Sequence, residues 1–356
     1  MRIEPFSLSL SNPLTTAAGT IETREGFTVD YRHRGESGLG EATPLPGWTE
    51  SLDACHAALD RAAAAADQEA SAESGNGHGA ALLELDAAET PAARHGFASA
   101  LLDADARADG IPLYEWFDAG VGPVRSVPVN ATIGDGSVEE TVETAETAVE
   151  VGFDCLKCKV GARPVSEDVE RIQSVRAAVG ERVEIRVDAN AAYDRDAARE
   201  AVDGFASAGV SYVEQPLEPG DLAGHRDLRG RGVGIGLDES LAECMAQEII
   251  DADAADVLVL KPMVVGGPGN AHTLAMRARD HGIEPVVSTT VDAVVARTAA
   301  VHVAATIPDV RPCGLATAEF LESDLGADPA PVSDGAISVP QEPGLGISRE
   351  DLEVPE

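Results

Sequence analysis

Apolar and polar positions alternate along this chain in two textures. Residues 1 to about 50 carry short alternating apolar runs broken by Gly and Pro and end in GLGEATPLPGWTES, which predicts a small antiparallel sheet. Residues 51 to about 108 are Ala-rich and helical in spacing. SAESGNGHG (71–79) interrupts them and is a flexible loop by composition. From about Ser126 a unit repeats: a short Val/Ile-rich strand, a loop bearing acids or lysines, then an amphipathic helix. The strands read as VPVNATI (127–133), FDCLKCKV (153–160), VEIRVDAN (183–190), VSYVEQP (210–216), VGIGLDE (233–239), DVLVLKP (256–262), IEPVVST (283–289) and a weak eighth, RPCGLAT (311–317).

Between the first two strands, Ser137 and Glu140 predict a capping box, and Val138, Val142, Ala145 and Val149 share one helical stripe. Val169, Ile172, Val175 and Val179 repeat the stripe in the next helix, which Gly180 is suited to end. Strand–helix alternation with strands apolar on both faces implies a parallel sheet, and eight strands favour closure into a barrel. An open doubly wound sheet is the alternative; no GxGxxG or Walker loop follows the first strand to support it. The stretch from about 320 onward, with DGAISVPQEPGLGIS, predicts a hairpin packed back on the N-terminal sheet.

Charge narrows the partners. The 356 residues include 62 acids and 26 basic residues, a net charge of −36 that repels nucleic acid and anionic membranes, while 44% hydrophobic content still supports a core. Of the basic residues 23 are Arg and only three are Lys: Lys157, Lys159 and Lys261. Acidity with lysine depletion reads as adaptation to high salt. In such a composition a retained lysine points to work that arginine cannot do, above all losing a proton near neutral pH; chance survival on the surface is the plain alternative. Five dispersed cysteines (55, 155, 158, 244 and 313) make no disulfide framework, and the CxxC at 155–158 has no partner ligands for zinc, so they read as packing residues. The opening MRIEPFSLSLSNP lacks a signal-peptide pattern and no apolar run reaches membrane-spanning length, so a cytoplasmic protein is expected.

The chemistry-bearing residues fall at successive strand ends. Lys157 and Lys159 end the second strand, Asp188 and Asn190 the third, Glu214 the fourth, Asp238 and Glu239 the fifth, and Lys261 the sixth, at intervals of 23 to 29 residues from Lys159 onward. In a barrel these positions converge on one mouth. Three carboxylates there repel one another unless a cation joins them, and an all-oxygen ligand set selects Mg²⁺, with Mn²⁺ able to replace it. Ordinary helix-capping acids are the alternative reading of Asp188, Glu214 and Asp238. Lys157 and Lys159 share one strand face and point inward, with Lys261 on the opposite wall. Crowded cations near a metal are expected to lower an amine's pKa and make it a general base. A metal facing such a lysine suits proton abstraction next to a carboxylate, an arrangement of which enolase-superfamily sites are the standing example.

With these residues the chain resembles the enolase superfamily, in its muconate-lactonizing-enzyme-like subgroup. KCKVG (157–161) is similar to the KxK motif, VDAN (187–190), VEQP (213–216) and LDES (237–240) to the metal-ligand segments, and LKPMVVGG (260–267) to the sixth-strand segment. The resemblance implies a modified (β/α)7β TIM-type barrel at 123–320, an α+β capping domain at 1–122 and a C-terminal segment, 321–356, returning to the cap. It implies Lys159 as acid/base, Lys261 as cation on the opposite face, Asp188, Glu214 and Asp238 as ligands, and Lys157, Asn190 and Glu239 in support.

GEATPLPGWTES (40–51), PAARHGFASALLDA (91–104) and VNATIG (129–134) are most similar to o-succinylbenzoate synthases of menaquinone biosynthesis. That likeness implies dehydration of 2-succinyl-6-hydroxy-2,4-cyclohexadiene-1-carboxylate to 2-succinylbenzoate through a metal-stabilised enediolate. Trp48 would shield the site from water, and Ser288, Thr289 and Gly314 would line the pocket; plain packing and strand-end roles are their alternatives. RPCGLATAE carries no Asp-x-Asp, the feature expected of a dipeptide epimerase. An N-acylamino acid racemase or dipeptide epimerase, using Lys159 and Lys261 as two bases, is the rival enzyme, and a non-catalytic acidic binding protein the rival of another class. The partners expected are a small-molecule carboxylate substrate and, at most, further copies of the chain.

Overall fold

The computed structural model describes residues 1–16, 19–70, 78–117, 120 and 122–353. The first part is a three-stranded antiparallel sheet, β1 (Arg2–Thr16), β2 (Gly19–His33) and β3 (Glu36–Ala42), followed by helices α1 (Leu52–Ala70), α2 (His78–Leu83), α3 (Pro91–Asp109) and α4 (Leu113–Trp116). Of the loop expected at 71–79, residues 71–77 lie outside the described residues and His78 and Gly79 already begin α2. α3 lies directly on β3 because glycine meets glycine there: a Cβ on Gly40 would stand 1.8 Å from the Gly96 carbonyl oxygen.

β4 (Ser126–Pro128) and β5 (Ala131–Ile133) follow, then α5 (Val138–Glu150), β6 (Cys155–Lys159), α6 (Val165–Val179), β7 (Glu184–Asp188), α7 (Arg195–Ser207), β8 (Tyr212–Glu214), α8 (Leu222–Leu228) and β9 (Gly234–Leu237). The short helices α9 (Ser240–Glu243) and α10 (Ala246–Asp251) lead to β10 (Val257–Leu260), α11 (Pro268–Asp280), β11 (Glu284–Val287) and α12 (Val294–Ala305). β5 to β11 form one parallel sheet in sequence order. The eighth position is held by two residues: Cys313 bridges Val129 and Gly314 bridges Ser288, closing the (β/α)7β barrel.

Three local expectations change. The first strand is split at Pro128, which brings no N–H to a ladder; Ala131–Ile133 joins the parallel sheet and Val129 bridges the closing seam, while Ser126–Pro128 pairs antiparallel with the C-terminal hairpin. The eighth strand shrinks to two single-residue bridges, at Cys313 and Gly314. The hairpin, β12 (Val332–Ser333) and β13 (Ala336–Ser338), joins β4 instead of the cap sheet. The tail reaches the cap elsewhere, through a Leu10–Leu321 bridge and a Pro112–Gly344 bridge. The capping box is formed: Ser137 Oγ accepts from Glu140 N and Glu140 from Ser137 N.

Every residue of α12 is buried. Val301 and Val303 pack with the barrel core, Ala296 with Phe27 and Phe97 of the cap, and Val294, Val295 and Ala299 with Phe6, Leu8 and Leu39. This helix therefore docks the cap on the barrel. Within it His302 Nδ1 accepts from Tyr114 N, which leaves the Nε2 proton for the Leu345 carbonyl. Burial pushes this imidazole down to about 4. A histidine that resists protonation when folded but accepts it at about 6.5 when unfolded stabilises the fold above that pH and loses the contribution as pH falls toward 4. His302→Gln is expected to flatten acid destabilisation over that window by up to about 3 kcal/mol, measured by urea unfolding. No described helix is long and apolar enough to cross a membrane.

Candidate active site

The parallel register sets the site. Lys159 pairs with Asp188, and Asp188 with Glu214, so three strand ends present their inward side chains in one row; Asp238 and Lys261 follow the last residues of β9 and β10. Beneath this row the barrel is filled by Tyr212, Val257 and Val286. Gly236 is a glycine because a Cβ there would stand 3.0 Å from the Tyr212 ring. Arg186, the register partner of Lys157, lies over the same ring at 5.0 Å.

All three lysines reach the carboxylates. Lys157 Nζ donates to Glu214 Oε1 at 2.6 Å and stands 2.9 Å from Asp188 Oδ2; Lys159 Nζ donates to Asp188 Oδ2 at 2.8 Å and to Asn190 Oδ1 at 2.7 Å. Lys261 Nζ donates to Asp238 Oδ2 at 2.6 Å and lies 3.6 Å from the centre of the Trp48 ring. Asn190 ties the two sides, accepting from Lys159 while its Nδ2 donates to Glu239 Oε1 at 2.9 Å. The amines differ in exposure: 35% for the Lys159 side chain, 15% for Lys157 and 12% for Lys261. The backbone of Lys159 is anchored from behind by Arg171, which donates to its carbonyl and pairs with Asp168 on α6.

Electrostatics follow from burial and these contacts. Burial would push the Lys157 ammonium down, but Asp188, Glu214 and Asp238 outweigh it and hold it well above its usual range. The expected lowering of a lysine by crowded cations is thus reversed at Lys157, because carboxylates and not other amines are its nearest neighbours. Burial raises Asp188 as well, yet Lys157 and Lys159 together hold it well below the carboxylate range. Glu214 is pushed up to about 7, by burial and then by Asp188, against Lys157. Asp238 is pushed up to about 6 by burial, against Lys261.

As the side chains stand, no three of the described His, Cys, Asp and Glu residues already surround one point as ligands; each of the three carboxylates turns one oxygen to a lysine. The remaining oxygens speak for a cation. Glu214 Oε2, Asp238 Oδ1 and Glu239 Oε2 are buried without a hydrogen-bond partner, a costly arrangement for a carboxylate that a hard, oxygen-seeking ion relieves. Glu214 and Asp238, with Glu239 beside them, therefore fit a hard cation such as Mg²⁺, whereas Asp188 Oδ1 already accepts from Asn190 N at 3.1 Å.

Ser288, Thr289 and Gly314 are brought together as the seam that closes the barrel. Ser288 Oγ donates to the Gly314 carbonyl at 3.2 Å, and Thr289 shares a 3.0 Å hydrogen bond with Thr317. Gln215 was not singled out from the sequence. Its Oε1 accepts from Asp238 N and Ser240 N, fixing one strand end to the next from a backbone at φ 39°. The signal was a polar residue beside the acid in VEQP. A cavity of about 390 Å³ is lined by cap residues including Arg24, Pro44 and Glu50 and by none of the three lysines.

The family model for the enolase C-terminal domain-like fold matches residues 140–351. The L-Ala-D/L-Glu epimerase of Bacillus subtilis (strain 168) is 30% identical over 357 residues, covering 98% of this chain and 96% of that protein. The chain belongs to the enolase superfamily, in the subgroup of the muconate-lactonizing enzymes. Among solved structures, this superfamily member superposes on the muconate lactonizing enzyme of Pseudomonas fluorescens complexed with muconolactone at a TM-score of 0.84, with 27% identity and coverage of 99% and 96% of the two chains. It superposes on the dipeptide epimerase of Enterococcus faecalis V583 complexed with Mg and the dipeptide L-Leu-L-Tyr at 0.83, with 25% identity and 98% of both chains. The o-succinylbenzoate synthase of Thermobifida fusca (strain YX) is 38% identical, over 223 residues that cover 61% of this chain and 68% of that one. The superfamily reading holds for the whole chain; the likeness to the synthase covers part of it.

Proposed function

We propose that this enzyme removes the proton next to a ring carboxylate with one lysine and expels a hydroxyl, converting 2-succinyl-6-hydroxy-2,4-cyclohexadiene-1-carboxylate to 2-succinylbenzoate. The observation that carries the reading is the inequality of the amines. Lys159 opens to the mouth, while Lys261 lies under the Trp48 indole. One accessible amine on one face suits a syn elimination, in which the same group takes the carbon-bound proton and then hands a proton to the departing hydroxyl. The C–H and C–O bonds break, a ring double bond forms, and water leaves. Asp188, Glu214 and Asp238 would hold Mg²⁺, or Mn²⁺ in its place, which when bound supplies positive charge to the substrate carboxylate oxygens. Asn190 orients Lys159, Lys157 holds Asp188 ionised and opposes the upward shift of Glu214, and Lys261 supplies a fixed positive charge behind the indole. The 38% identity to the Thermobifida synthase supports the same reading.

Epimerisation of a dipeptide or N-acylamino acid is the second reading, favoured by the full-length likeness to the Bacillus epimerase. It needs an amine on each face of the α-carbon. Here an indole covers the second amine, and the sole acid in residues 311–320 is Glu319, where an Asp-x-Asp is expected of a dipeptide epimerase. Deuterium exchange separates the two. In D₂O with Mg²⁺, L-Ala-L-Glu is expected to keep its configuration; equal α-deuteration with interconversion of the L,L and L,D forms would establish two working bases and reject the one-base reading.

A further inference from the structure

We propose that Arg24 is a positioning residue: one buried guanidinium joins the Trp48 turn of the cap to the strained loop after β11 and so sets the indole over Lys261. Arg24 stands on β2 and is 2% exposed. Its donors go to backbone carbonyls of two separate segments: Nη2 to Thr43 at 2.9 Å, Nη1 to Pro44 at 3.1 Å and Nε to Val291 at 3.2 Å. A planar fork of donors suits several carbonyls at once, which a lysine point charge does not. Burying a cation is costly even where, as here, the Asp292 and Glu41 carboxylates offset part of that cost, and an apolar side chain would pack this junction at less expense if packing were the whole task.

Each segment it grips leads to the mouth. Thr43 and Pro44 enter a tight turn closed by Trp48 N and Thr49 N, both donating to the Leu45 carbonyl at 3.0 Å, and by Leu45 N donating to Thr49 Oγ1 at 2.9 Å. The turn therefore moves as a unit with the carbonyls that Arg24 holds, and Trp48 is part of it. Val291 sits at φ 59°. A β-branched residue there is strained by about 1–3 kcal/mol and persists only where its surroundings hold it. On the barrel side Asp292 accepts from Thr290 Oγ1; from the cap, Glu41 accepts from Ala293 N at 2.9 Å and Ala296 N at 2.8 Å. Arg24 Nε supplies the cap's hold on Val291 itself. One side chain thus sets the spacing between two walls of the site that belong to different parts of the chain.

The catalytic consequence rests on the proposed dehydration; the geometric one does not, and the test reads both. The chain has two tryptophans, Trp48 and Trp116. In a W116F background Trp48 alone reports, and K261M is expected to change its emission by removing the ammonium under the ring. R24M is expected to shift Trp48 emission to longer wavelength, to abolish its response to K261M, and to lower kcat/KM by about 10- to 100-fold, the scale of a misplacement of about 1 Å. R24K is expected to recover part of each effect, and it is read in the same way if R24M does not fold. Trp48 emission that still responds fully to K261M in a folded Arg24 variant would overturn the proposal. If wild type fails to turn over the ring acid, the fluorescence result stands and only the proposed reaction falls.

Discussion

Lys159→Met and Lys159→Arg are both expected to lose turnover, with kcat lower by about 10²- to 10⁴-fold, while far-UV circular dichroism and thermal stabilisation by Mg²⁺ are retained. Methionine keeps the length of the side chain and removes the amine. Arginine keeps the charge but cannot release a proton near neutral pH. A group needed only for its charge would survive the second change, and a proton carrier survives neither. The position tolerates the test because the amine is the most open of the three and its backbone is held separately by Arg171. Full activity in either variant would remove Lys159 from the acid/base role. Full activity in both, with ordinary weak surface binding of Mg²⁺, would revive the reading of a non-catalytic acidic protein.

Glu214→Gln and Asp238→Asn are expected to weaken Mg²⁺ binding by more than about 100-fold, beyond the 10- to 100-fold scale of losing a residue that merely supports a ligand. Calorimetric titration checks this without turnover. In wild type at Mg²⁺ about 100 times its Kd, binding adds about 2.7 kcal/mol of stability, and this increment is expected to vanish in both variants. The reason lies in Glu214 Oε2 and Asp238 Oδ1, buried acceptors that no donor among the described residues reaches. An unchanged Mg²⁺-dependent rise in Tm would place the ion elsewhere. Removal of the ion with EDTA is expected to stop turnover, and return of Mg²⁺ to restore it.

Much of this site was legible because the barrel converts sequence spacing into position. Acids and lysines one strand–helix unit apart, each behind an apolar run, can only converge at strand ends, and the register of Lys159, Asp188 and Glu214 shows them doing so. The lysine shortage helped further, since all three lysines pair with acids of this one row, Lys157 with Asp188 and Glu214, Lys159 with Asp188, and Lys261 with Asp238. What was illegible depends on contacts between distant segments. Nothing local in VPVNATI reports that its first half pairs with residues 336–338. The direction of the Lys157 shift depends on which charges end up nearest, and periodicity cannot rank them. Arg24 reads as one more arginine in an acidic chain until three backbone carbonyls from two other segments surround it. The likeness of the cap segment gives Trp48 a shielding role, but its placement over Lys261 belongs to the packed cap.

In the proposed reaction one lysine and one bound ion aromatise a ring acid. The most direct measurement is to incubate the purified protein, in high salt with Mg²⁺, with 2-succinyl-6-hydroxy-2,4-cyclohexadiene-1-carboxylate and follow the diene and arene absorbances. Mg²⁺-dependent conversion to 2-succinylbenzoate that disappears in Lys159→Met is the predicted result. An unchanged diene spectrum, with the same preparation interconverting dipeptide epimers, would contradict it.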